Sequence, residues 1–133
     1  MGAGRENTKL PGAVLGSNIT VTSNAKAAVQ GADFILSAIP LQSTRATLAD
    51  LVGHFEGQPL IGCSKGVDLA TGLGGYSVLQ ACYPDGPVGL LTGPSFATDI
   101  ARGLPTALTL AADASQAVSA WQSDLSSDTL RLY

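Results

Sequence analysis

A chain of 133 residues that is 45% hydrophobic and only 13% charged carries enough apolar side chains for one sizeable core. Seven basic against ten acidic residues leave a net charge of −3 with no like-charged block, which argues against nucleic acid or an anionic membrane as the main partner. Cys63 and Cys82 stand far apart beside one histidine, His54, so neither a disulfide framework nor a zinc site is expected.

No stretch approaches the ~20 apolar residues of a spanning helix, and no signal-peptide pattern opens the sequence. The expectation is a soluble cytoplasmic domain.

In chain order, the β-branched run NITVTS (18–23) reads as a strand. A short helix follows, with Asn24 or Ser23 as N-cap and Gly31 as its stop. ADFILSAIP (32–40) is a nearly continuous apolar run, the pattern of a strand buried on both faces. STRATLADLVGHF places Ala46, Leu48, Leu51, Val52 and Phe55 at helix-like spacing. PLIGCSKG (59–66) is a strand broken by Gly66, YSVLQACY a helix, and PVGLLTG (87–93) another strand. A helix around 95–102, a strand TALTLAA (106–112), a helix over about 114–122 and a strand LRLY (130–133) complete the pattern. Trp121 falls at helical spacing with Ala117, Val118 and Leu125, as core or interface. Strands alternating with helices predict βαβ units: an α/β fold with a doubly wound, mostly parallel sheet.

Ligands of such sheets lie outside the carboxyl ends of the strands. Three ends carry Pro or Gly plus a polar group: IPLQS at 39–43, CSKG at 63–66 and TGPSFA at 92–97. Lys65 follows an apolar strand and precedes Gly66, which lets the backbone turn sharply. A cation there can neutralise a phosphate or polarise a developing oxyanion, or simply leave the sheet for solvent. Ser95, after Gly93-Pro94, can serve an anion at a helix start or cap its own helix, as most such serines do. No Ser/His/Asp arrangement, paired-carboxylate motif or metal spacing rises above chance. No GxGxxG or GxxxxGK[ST] follows a strand: MGAG has no strand before it, and GLGG (72–75) follows no apolar run.

The segments RENTKLPGAVLGSNITVTSN, ADFILSAIPLQSTRATL, CSKGVDLATG and LLTGPSFATDIARGLPTALTLAA occur in that order, with LRLY last. Together they resemble the bacterial NAD(P)-dependent glycerol-3-phosphate dehydrogenases, from about Arg5 to Tyr133. The resemblance implies an oxidoreductase that interconverts sn-glycerol 3-phosphate and dihydroxyacetone phosphate with NAD or NADP, supplying glycerol phosphate for phospholipid synthesis. It implies that Lys65 contacts both substrate and cofactor, and that Gly93 and Ser95 contact substrate. Ala97 and Pro40 match cofactor-facing positions.

The sequence departs from the family pattern at both flanks. The family's opening strand, glycine-rich turn, helix and second strand have no counterpart here. Its general-base lysine belongs to a helical domain expected beyond Tyr133. Residues 1–133 are therefore expected to be one partial nucleotide-binding domain, lacking the sheet's first two strands, holding no catalytic residue of its own and without turnover alone. The residues that distinguish NAD from NADP follow the missing second strand, so both cofactors stand. A Rossmann-type reductase of the 6-phosphogluconate or ketopantoate kind, or a non-catalytic truncated domain, are the alternatives. With those strands missing, the edge of residues 32–39 would be bare and could drive self-association.

Overall fold

The computed structural model describes Glu6 and residues 9–113 and 116–133. Its elements are α1 (Ala25–Val29), β1 (Ile35–Ser37), α2 (Leu41–Ala49), a single 3-10 turn (Val52–His54) and β2 (Leu60–Gly62). There follow α3 (Gly75–Cys82), β3 (Val88–Thr92), α4 (Ala97–Ala101), β4 (Thr106–Ala112), α5 (Gln116–Leu125) and β5 (Leu130–Leu132). The five strands form one sheet in sequence order, β1-β2-β3-β4-β5. All neighbours run parallel except β3 and β4. The fold is α/β with a mostly parallel sheet, as the element pattern implied.

The antiparallel pair has a simple origin. A parallel partner needs a crossover that carries the chain back along the full strand. Helix α4 has five residues, about 7.5 Å at 1.5 Å per residue. That is less than half the ~17 Å of a five-residue strand such as β3. The chain therefore returns from the end at which it left.

Alternation along β2 feeds both faces of the sheet. Leu60 joins Leu48 of α2, Leu79 of α3 and Val88 in one buried cluster, where Phe55 and Tyr83 meet edge to face at 5.2 Å. Ile61 joins Leu108, Leu110, Leu132 and Trp121 of α5 in the other. Helices thus cover both faces, and Trp121 is a core residue. The two β2 residues are fully buried at 0% exposure, each contributing on the order of 1.5–3 kcal/mol relative to an exposed position.

Three expectations are corrected. Residues 18–23 form no strand: Ile19 is 43% exposed and Val21 73%, and among the described residues no ladder pairs them with the edge of β1. β-branched composition favours a pleated, half-buried surface, and these side chains lie exposed instead. Strand β1 is only three residues long and not buried on both faces, because it is the sheet edge and Leu36 is 51% exposed. The stripe foreseen for the next helix also shifts. Leu41, Thr44 and Leu48 are the buried residues of α2, while Ala46 faces solvent. Asn24 does cap α1, accepting a hydrogen bond from Ala27 N, and Gly31 takes φ +65° just after it.

Candidate functional site

The parallel run β1-β2-β3 brings its three carboxyl ends to one side of the sheet. After β2 the ladder continues for one bond, Cys63 N donating to Ser37 O at 3.0 Å. The chain then exposes Lys65 and turns at Gly66, whose φ of +111° disfavours any side chain. The Lys65 ammonium reaches across to the end of β3 and donates to Gly93 O at 2.8 Å. Ser95 N donates to that same oxygen at 3.0 Å, a bond spanning two residues around Pro94. Proline's fixed φ suits that three-residue turn. A Cβ on Gly93 would meet Leu108 Cδ2 at 2.7 Å and Ala107 O at 3.3 Å, so glycine lets the end of β3 lie flat on β4. The Gly-Pro-Ser order is thereby explained in physical terms. Glycine permits close strand packing, proline bends the chain, and the next amide fastens onto the carbonyl that also holds Lys65.

The structure brings Lys65, Gly93 and Ser95 together at one carbonyl oxygen. Helix α4 starts at Ala97, its N-cap is Phe96, and no side chain caps it. The Ser95 hydroxyl is therefore not spent as a helix cap. Ala97 is the exposed first residue of α4, two positions beyond Ser95. Pro40 is the N-cap residue of α2, beyond the end of β1, and β2 separates that strand from β3. Its carbonyl accepts from Ser43 N at 2.9 Å. A hollow of about 580 Å³ along α1 and α2 is lined by residues such as Lys26, Thr47 and Asp50 and by none of these five. We place the candidate site on the strand ends because the convergent donors lie there.

A second constellation stands behind Lys65 and escaped the sequence reading. Asp68 is a buried carboxylate, 5% exposed, that accepts from Thr71 Oγ1 and lies 3.5 Å from Arg45 Nε. The Thr71 hydroxyl, helped by the Ala70 amide and Arg45, holds its carboxyl below the usual range against the opposing effect of burial. Gln42 of α2 grips the same loop, donating to Val67 O at 2.8 Å and accepting from Leu69 N at 3.0 Å. The Asp-x-x-Thr spacing in DLATG was a signal for a local carboxylate–hydroxyl bond. The partners from α2 had none. Cys63, next but one to Lys65, has its thiol pushed up by burial.

These strand ends can present a positive charge and free donors to an anion, and the fold places them where α/β sheets bind ligands. The family model described as the NAD-dependent glycerol-3-phosphate dehydrogenase N-terminus matches residues 1–118. The chain belongs to that family. It is 49% identical over 130 residues to the glycerol-3-phosphate dehydrogenase (NAD(P)+) of Ruegeria sp. (strain TM1040) and 46% over 130 residues to that of Roseobacter denitrificans. Each alignment covers 97% of this chain and 40% of the relative. The chain thus spans about two fifths of the length of these relatives.

Among solved structures it is similar to the glycerol-3-phosphate dehydrogenase of Coxiella burnetii, with a TM-score of 0.82 at 24% identity over 93% of this chain and 38% of that one. A pyrroline carboxylate reductase of Plasmodium falciparum shares the fold more loosely, at a TM-score of 0.63 and 10% identity over 84% of this chain and 40% of that one. No helix among the described residues is long and apolar enough to cross a membrane.

Proposed function

We propose that this chain forms part of the nucleotide-binding domain of an NAD- or NADP-dependent glycerol-3-phosphate dehydrogenase, and that Lys65, Gly93 and Ser95 form its substrate contact. The observation that carries the reading is the shared carbonyl. Lys65 Nζ and Ser95 N both donate to Gly93 O, at 2.8 and 3.0 Å. That holds the ammonium at the carboxyl edge of the sheet with its other N–H donors unused by this bond. Lys65, Ala97 and Pro40 are the residues we assign to the cofactor.

The fit to a dinucleotide is one-sided but chemically sound. The strand ends supply a cation and a hydroxyl for phosphate or carbonyl oxygen, whereas among the described residues no glycine-rich phosphate turn follows a strand. Bound nicotinamide would supply or accept the hydride. The chain's own share is charge and orientation. Lys65 would stabilise a phosphate or the developing alkoxide of dihydroxyacetone phosphate, and the Ser95 hydroxyl, free of capping duty, would hold a substrate oxygen. We further infer that the family's remaining elements, including its general-base lysine, are needed for turnover. The 133 residues alone would bind without reacting.

Free thiols at Cys63 and Cys82 suit a reducing cytoplasm, and the edge of β1, unpaired among the described residues, suits weak pairing with a second copy. Identity at the level of close relatives favours this reading over a 6-phosphogluconate or ketopantoate reductase.

A chimera tests it. In the Ruegeria relative, the 130 aligned residues are replaced by this chain. The chimera should oxidise NADH or NADPH in the presence of dihydroxyacetone phosphate, and Lys65→Ala within it should remove most of that activity. A folded chimera with no activity, or one indifferent to Lys65→Ala, would sink the reading.

A further inference from the structure

The loop that follows Lys65 is closed on itself. Val67 bridges Gly74, Asp68 N donates to Leu73 O at 2.8 Å, and Gly72 N returns to Asp68 O at 2.7 Å. Such a loop could swing as a unit about Gly66, carrying Lys65 with it, were it not fastened from outside. Helix α2 supplies the fastening. The Gln42 carboxamide bonds the backbone on both sides of Asp68, donating to Val67 O and accepting from Leu69 N, as a neighbouring strand's peptide would. Arg45 is three residues further along α2, on the same helix face, and it reaches the buried Asp68 carboxylate at 3.5 Å. Arg45 Nε is buried and makes no hydrogen bond, so this ion pair is what compensates its charge on that side.

We propose that Gln42 and Asp68 are positioning residues for Lys65: through the 67–74 loop they fix the backbone from which its ammonium reaches Gly93 O. Pro40 is the N-cap of the same helix, so the β1 and β2 ends of the candidate site would be held as one unit. Loss of the clamp frees Lys65 to leave the Gly93 carbonyl without unfolding the sheet, since Gln42 is exposed and lies outside both apolar clusters. The role assigned here rests on the reading of Lys65 as a ligand contact.

Competitive acetylation of the folded 133-residue chain, read lysine by lysine by mass spectrometry, tests it, with exposed Lys26 as internal reference. In Gln42→Ala the Lys65/Lys26 rate ratio should rise about fivefold, the factor expected when roughly one net hydrogen bond ceases to restrain a group. Gln42→Glu keeps the acceptor for Leu69 N and should fall between wild type and Gln42→Ala. Asp68→Asn should also raise the ratio while circular dichroism shows the fold retained. A merely structural role would lower the melting temperature and leave the ratio unchanged. An unchanged ratio in folded Gln42→Ala overturns the proposal, whatever Asp68→Asn does to stability. A separate arm adds inorganic phosphate to wild type. Protection of Lys65 with an unchanged Gln42→Ala ratio would leave the site reading standing and the positioning role refuted. No protection with a raised ratio would do the reverse.

Discussion

Ile61 and Ile19 are the same residue type in short β-branched or apolar runs, yet one is fully buried and the other 43% exposed. Ile61 sits between two ladders, opposite Leu36 on β1 and Gly89 on β3, with Trp121 in its cluster. Ile19 N donates a hydrogen bond to Gly16 O at 3.1 Å, and the residue belongs to no strand. The contrast shows that apolar pattern proposes a strand and pairing decides it. It also separates the part of the chain that builds the site from the part that does not: the candidate residues Lys65, Gly93 and Ser95 all hang on paired strands.

The largest expected effect breaks the contrast at its strong end. Ile61→Ala should destabilise the chain by about 2–5 kcal/mol through lost burial and a cavity among Leu108, Leu110, Trp121 and Leu132. Ile19→Ala should change it by less than about 0.5 kcal/mol, as for most surface substitutions. Paired denaturant titrations check both, and comparable losses would mean that residues 18–23 are packed after all.

Lys65→Ala comes next, and its effect belongs to binding. Affinity for dihydroxyacetone phosphate should fall by roughly 1.5–3 kcal/mol, the worth of one charge-assisted hydrogen bond. Stability should hardly move, because the side chain is exposed. Calorimetry on wild type and variant separates the two quantities. Gly93→Ala should do both kinds of damage. Its methyl meets Leu108 and Ala107, costing about 1–3 kcal/mol of overpacking, and the shifted carbonyl should loosen Lys65.

The pH effect is smaller and has a definite sign. The Asp68 carboxyl is held below its usual range by Thr71, Ala70 and Arg45. Its contribution is therefore present above the unfolded carboxylate range and is lost as pH falls through the lower folded value. Thermal melts across that acidic window should show wild type losing more stability than Asp68→Asn, with the gap closing at the acid end. Smallest is the edge effect. Leu36→Lys should weaken any concentration-dependent association seen by sedimentation, because an inserted charge discourages edge pairing.

Much of the α/β order was legible because buried strands such as 60–62 and 88–92 read as apolar runs bounded by Gly and Pro. Helices such as α3 and α5 repeat apolar residues at their own period. Asn24 and Gly31 were legible as local punctuation. The rest was set by geometry that composition and periodicity do not carry. Residues 18–23 join no ladder among the described residues, β4 runs antiparallel because α4 is short, and the Ser95 hydroxyl lies outside the helix cap because the helix starts two residues later. The site was half legible. Lys65 and Ser95 could be singled out from their strand ends, but the Gln42 clamp joins residues 25 and 27 apart by side-chain-to-backbone bonds, which no periodicity announces.

The central claim is that the ends of β2 and β3 form one anion-binding edge. Its most direct test is a two-dimensional amide NMR titration of the chain with dihydroxyacetone phosphate, with dihydroxyacetone lacking the phosphate as control. The account predicts saturable shifts confined to residues 63–66 and 92–97, with the control silent and Lys65→Ala abolishing them. Shifts centred on the hollow lined by Lys26, Thr47 and Asp50, or a Lys65→Ala variant that binds as wild type does, would contradict it.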